Sequence, residues 1–115
     1  EAVSDIAELG ACLEESFSSL RLMGIECALT APAGERIYVR DVVRIYSFFE
    51  SIIEACVDSI KFMWVKIRPC GEEMVFCMEV ESEEDLNSFF DKTDQGESED
   101  GIWQFTFTIK KAGEK

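Results

Sequence analysis

Glu54 and Asp58 stand four residues apart in Arg40 to Ile60, a long stretch free of proline and glycine. On a helix, that spacing sets the two carboxylates one turn apart on the same face. A paired carboxylate of this kind can hold a divalent cation, but without phosphate contacts a Mg²⁺ or Ca²⁺ site built on two acids is weak. The more common role for such a pair is a solvated helix face. No histidine occurs among the 115 residues, which removes His-ligated metal sites, a His general base, a catalytic triad and a phospho-accepting His from this segment. The five cysteines (Cys12, Cys27, Cys56, Cys70 and Cys77) are odd in number and contain no CxxC pair. Three of them fall at apolar periodic positions, so buried reduced thiols in a cytoplasmic setting are expected. Cys70, in a turn with only Arg68 as a neighbouring cation, lacks the surroundings of a catalytic thiolate. No catalytic residue and no metal site is assigned from these residues.

The formal charge of −13, from 24 acids and 11 bases, disfavours nucleic acid and anionic lipid, which require clustered lysine and arginine. A hydrophobic content of 47% with nine phenylalanines argues for a packed core rather than disorder. No apolar run approaches the roughly 18 residues of a membrane span, so this segment is not expected to insert into a membrane. Because the chain begins at Glu1, it is expected to be a single domain, residues 1–115, excised from a longer protein. The setting expected is cytoplasmic, whether free or as the soluble part of a membrane-bound protein.

The elements that would position the acids follow from periodicity. Residues 3–23 form a first helix with Ile6, Leu9, Leu13, Phe17, Leu20 and Met23 on its apolar stripe, ended by Gly24. Ile25, Cys27, Leu29 and Ala31 alternate with polar or small residues as a half-buried strand, and Pro32 to Glu35 form a loop. The long helix runs from Asp41, its expected N-cap, to about Ser59, with Val42, Ile45, Tyr46, Phe49, Ile52, Ile53, Cys56 and Ile60 on one stripe. A hairpin follows. Met63, Val65 and Ile67 face one way, opposite Trp64, Lys66 and Arg68; after the turn at Pro69 to Glu72, Met74, Phe76, Met78 and Val80 face the core, opposite Val75, Cys77 and Glu79. Ser82 with Asp85 resembles a capping box and predicts a short helix through Phe90, burying Leu86 and either Phe89 or Phe90. Asp91 to Gly101 read as a mobile acidic loop, Trp103 to Ile109 as the last strand, and the lysine-rich end as a frayed tail. The order α-β-α-β-β-(short α)-β implies an α/β (α+β) two-layer sandwich, a mixed β-sheet with helices packed on one face. Trp64, Val75 and Cys77 then form an apolar patch on the other face, an expected interface if nothing covers it.

A helix ending in "LMG", a strand, a loop, a long helix carrying Glu54-Ala55-x-x-Asp58 and a hairpin resemble the ATP-binding domain of sensor histidine kinases, of the gyrase/Hsp90/histidine kinase/MutL superfamily. The resemblance covers Glu14 to about Glu81 and extends to the last strand. It implies that the long helix is the N-box helix. Glu54 matches the acid that orients or activates the attacking group, and Asp58 sits where the family has its Mg²⁺-binding Asn. ATP and Mg²⁺ are the implied cofactors if the family activity is retained.

The departures are specific. After the second hairpin strand the family has D-x-G-x-G, whose Asp reads the adenine amino group and whose glycines let the backbone approach the nucleotide. Here Glu81-Ser82-Glu83-Glu84-Asp85 stand instead, and no glycine lies between Gly71 and Gly96. About twenty residues separate Glu81 from the last strand, too few for a lid, a helix and a second glycine box. From Glu79 to Asp100 there are ten acids and one base, Lys92, so a triphosphate meets repulsion. The expectation is a degenerate histidine-kinase-like domain without cofactor, with Glu54 and Asp58 as vestigial N-box positions. It would serve signal transduction through a protein partner or self-association. The alternatives are the ATP·Mg-binding domain of an active sensor kinase with a short lid, and a structural dimerisation domain using the Trp64 side of the sheet.

Overall fold

The computed structural model describes residues 1–113. A five-stranded mixed sheet in the order β2-β4-β5-β7-β6 carries two long helices on one face, so the architecture is the α+β two-layer sandwich expected. Helix α1 (Ile6–Leu22) begins where Asp5 caps it, its carboxylate accepting a hydrogen bond from the Ala7 amide at 2.9 Å. Three residues assigned to that helix from the sequence belong to a strand instead: β1 (Val3–Asp5) pairs antiparallel with β3 (Arg36–Tyr38). Three residues of apolar-polar alternation are too few to separate a strand from a first helical turn, and only the distant partner decides.

Strand β2 (Glu26–Thr30) lies parallel to β4 (Phe62–Cys70), which requires a crossover, and helix α2 (Val39–Cys56) supplies it. The N-cap of α2 is Tyr38 rather than Asp41, which falls in the first turn where the helix dipole still favours an acid. The helix stops at Cys56, short of the expected Ser59. The amides of Ser59 and Ile60 both close on the Cys56 carbonyl at 2.9 Å, and Lys61 then bonds to Glu81 at the start of β4.

Strand β5 (Glu73–Glu81) returns antiparallel to β4, and β7 (Ile102–Lys110) pairs with β5 over nine residues. Between them the structure departs from the sequence reading. A 3₁₀ helix (Asn87–Lys92) replaces the expected α-helix, and the acidic segment contains an edge strand, β6 (Gln95–Glu99), in place of a loop. Asp100 and Gly101, both at positive φ, make the two-residue turn joining β6 to β7. An Asp-Gly pair beside an alternating strand is a strong hairpin signal, outweighed in the sequence reading by the acidic composition. Nor is the C-terminal end frayed as far as it is described. Lys111 bridges Ile37, and Ala112 is buried and donates its amide to Arg36 at 2.8 Å. Residues 114 and 115, the remainder of the expected tail, lie outside the described residues.

The core lies between the helices and one face of the sheet: Leu9, Leu13, Phe17, Ile45, Phe49 and Ile52 from the helices meet Met63, Val65, Phe76, Met78, Phe105 and Phe107. Gly96 of β6 lies against the Phe90 ring so closely that a Cβ there would fall 2.3 Å from the ring carbon Cδ1. Gly96→Ala is therefore expected to lower stability by about 1–3 kcal/mol in urea unfolding. In the Phe90→Ala background the same change should cost much less, and an unchanged cost there would show that the ring is not what Gly96 accommodates.

Candidate functional site

Helix α2 carries one of the two sequence-predicted acids, and the turn after it carries the other. Glu54 is exposed in the last turns of α2, where with Glu50 and the serines Ser16, Ser19, Ser47 and Ser51 it lines a groove of about 540 Å³ beside α1. Asp58 lies past the helix end in the turn Val57–Ser59, is exposed, and does not line that groove. Asp58 therefore follows α2 rather than lying on it. Among the described residues no group of three or more cysteine, aspartate and glutamate side chains is arranged to hold a metal ion.

The opposite flank of α2 holds a residue the sequence reading left off the stripe. Phe48 is buried, and its ring makes edge-on contacts with Phe89 (6.0 Å between centroids), Phe105 (5.2 Å) and Phe107 (4.9 Å). Phe90 packs on Trp103 and Phe105 at 5.8 and 5.5 Å, and Leu86 is fully buried beneath them. Leu86, Phe89 and Phe90 of residues 82–93 thus form a small apolar plug at the edge of the core beside α2 and β7, while most other side chains of the segment are exposed. Its ends are tied: the Ser82 hydroxyl bonds Ser59 at 2.9 Å and accepts the Glu84 amide at 3.1 Å, and Thr93 returns its amide to Phe90 at 3.1 Å. The expected burial holds for Leu86, whereas Phe89 and Phe90 both pack half-buried against the core, so neither of the two alternatives is buried.

Two cations lie beside the plug. Arg44 lies over the Phe107 ring, 4.8 Å from its centroid, and approaches Asp94 at 3.9 Å, while Lys92 lies over the Phe89 ring. Ser47 and Ser51 complete a groove of about 300 Å³ there.

The cysteines are all free thiols. Trp64 is 41% exposed, and Val75 and Cys77 are partly exposed on the sheet face that no helix covers. Gln104 Nε2 donates to Cys77 Sγ at 3.2 Å.

Structural comparison adds one result to this geometry. The catalytic domain of histidine kinase ThkA, in a nucleotide-free form, aligns over 96% of this chain and 95% of its own, with a TM-score of 0.70 at 11% identity. The chain has the fold of histidine-kinase catalytic domains. Histidine kinase AdeS of Acinetobacter baumannii aligns over 96% of this chain and 67% of its own, with a TM-score of 0.66 at 11% identity. ThkA in complex with the response regulator protein TrrA aligns over 96% and 42%, with a TM-score of 0.67 at 13% identity. At these identities the likeness concerns the fold. No protein-family model matches the chain, and no curated protein matches it in sequence.

Burial pushes the thiols of Cys27 and Cys56 up from the ordinary value of 9.0, against the opposing effects of Arg21 on the first and the Ser82 hydrogen bond on the second. A raised folded value means that the unfolded chain ionises first. The stability these neutral thiols contribute is complete below pH 9.0 and is lost as pH rises through the folded values. The urea midpoint is expected to fall from pH 8 to pH 10, and to fall less steeply in Cys27→Ala/Cys56→Ala; equal slopes would contradict burial as the cause.

Proposed function

We propose that this chain is a histidine-kinase-like domain that no longer takes nucleotide and acts as a protein-interaction module in signal transduction. The observation that carries the reading is the aromatic plug. In the kinase domains it resembles, the segment after the second hairpin strand reads adenine and lets backbone approach the nucleotide beside the N-box helix. Here that same segment lays Phe89 on Phe48 of α2 and Phe90 on Trp103 and Phe105 of β7, with Leu86 buried, so apolar side chains cap the edge of the core beside the helix.

The residues present do not fit Mg·ATP. Glu54 and Asp58 are split between helix and turn, and the plug segment has acids where the family has glycines. A carboxylate-rich rim repels a triphosphate, and Arg44 and Lys92 are the cations nearby, each already over an aromatic ring. A protein partner is supported by analogy with the ThkA complex, in which a domain of this fold belongs to a kinase bound to a response regulator protein. No helix is long and apolar enough to cross a membrane.

Mg·ATP at several millimolar is expected to leave the thermal midpoint within about 1 °C of its starting value. A ligand present at 100 times its Kd would add about 2.7 kcal/mol and raise the midpoint by several degrees. A shift of that size, abolished by Glu54→Ala, would return the domain to the nucleotide-binding kinases.

A further inference from the structure

We propose that the bare face of the five-stranded sheet binds a basic amphipathic helix of a protein partner, laid across the strands in the trough that runs from Trp64 to Glu97. The proposal names the surface for the protein-interaction role proposed above, but it does not depend on whether nucleotide binds.

The strand register builds the trough. Reading across β2-β4-β5-β7-β6, one row of outward side chains is Ala28, Trp64, Glu79, Gln104 and Glu97. Two depressions, of about 650 and 470 Å³, share Glu79 and Gln104 and so run together along this row. Small Ala28 opens one end, and Asp100 rims the other. Five strands at the usual spacing make the row roughly 19 Å long, the length of a helix of about 13 residues.

One end of the row is aromatic. Trp64 is 41% exposed and stacks on Phe62 with ring centroids 4.4 Å apart at 23°, so its indole is held against a neighbour and offers a broad apolar surface. Exposed apolar area on a sheet that carries its helices on the other side only is the pattern of a missing layer. The occupant is set by charge. Glu79 and Glu97 lie in the row, Glu26, Glu81 and Glu99 lie in the next one, and among the described residues none of these five is in a salt bridge. A helix with leucines on one face and arginines along its flanks would cover Trp64 and Ile102, place a guanidinium over the indole and neutralise the carboxylates. Lys66 and Arg68, farther along β4 on the same face, line the depression at the Trp64 end, so Glu79, Glu97, Glu99 and Asp100 make the other end the acidic one and orient the incoming helix. A second copy of the chain would bring its own formal charge of −13, which works against self-association here.

The test uses the whole chain and a 14-residue helical peptide with leucine on one face and arginine on the other; its mirror carries glutamate for arginine. Calorimetry is expected to show micromolar binding of the arginine peptide and none of the glutamate peptide. Trp64→Ala and the separate double variant Glu79→Gln/Glu97→Gln should each weaken binding at least tenfold. Glu15→Gln/Asp41→Asn/Asp91→Asn, which removes three acids away from this row, should change it less than twofold. Absence of binding overturns the proposal. So does an equal loss from both sets of acids, which would mean diffuse attraction, and so does a dimer in sedimentation that Trp64→Glu dissolves, which would make a second copy the occupant. Heat from Mg·ATP in the same calorimeter, with the peptide still binding, would overturn the nucleotide-free reading and leave this surface standing.

Discussion

The contact of Phe48 with Phe89, Phe105 and Phe107 is the constraint on which the rest of the molecule depends. A sheet with helices on only one face has one core, and every apolar side chain of the helix layer must find its partner there. Phe48 sits on the flank of α2, beyond the stripe that the main helix periodicity defines. Without the 82–93 segment beside it, a phenylalanine ring would face solvent along the edge of the core. Truncating such a ring in a packed site typically costs about 3–5 kcal/mol, a large share of the total stability of a domain this size.

That packing also decides what the domain can do. An ATP-binding cleft must keep polar, glycine-rich backbone open beside the long helix. On the proposed reading, the cleft's position is taken by Leu86, Phe89 and Phe90, in a segment whose start Ser82 ties to Ser59. On that reading folding and ligand exclusion come from the same contacts: opening the site would expose Leu86, Phe89, Phe90 and one side of Phe48. The other face of the sheet, where Trp64 and a row of carboxylates lie in the open, is then the proposed surface for a partner.

Much of this architecture was legible in the residues. Gly24, the α1 stripe from Ile6 to Leu20 and the alternation of Met74 to Val80 and Trp103 to Ile109 specify elements by strong periodicity, and the structure places them as read; Met23, expected on that stripe, caps the helix and is exposed. What was not legible depended on distant partners. Val3–Asp5 and Arg36–Tyr38 are strands only because they pair with each other. Phe48 looked peripheral because the 3₁₀ helix and β7 that cover it come forty and more residues later. Asp58 falls outside α2 because the helix ends at Cys56, whose carbonyl takes the amides of both Ser59 and Ile60. The edge strand β6 was hidden by its own composition. Its alternating glutamates serve to keep an exposed edge soluble and unpaired, which makes a strand resemble a loop.

The account stands or falls on whether the plug is a closed part of the native core. Native-state hydrogen exchange at the amides of Ser82 and Asp94 measures this directly, since they donate to Gly101 and Thr106 at 2.9 Å and so tie the two flanks of the segment to the β6-β7 hairpin. The account predicts opening energies close to those of β5 and β7, unchanged by Mg·ATP. Fast exchange in the free protein, with protection gained on adding Mg·ATP, would mean that the segment is a lid over a working nucleotide site.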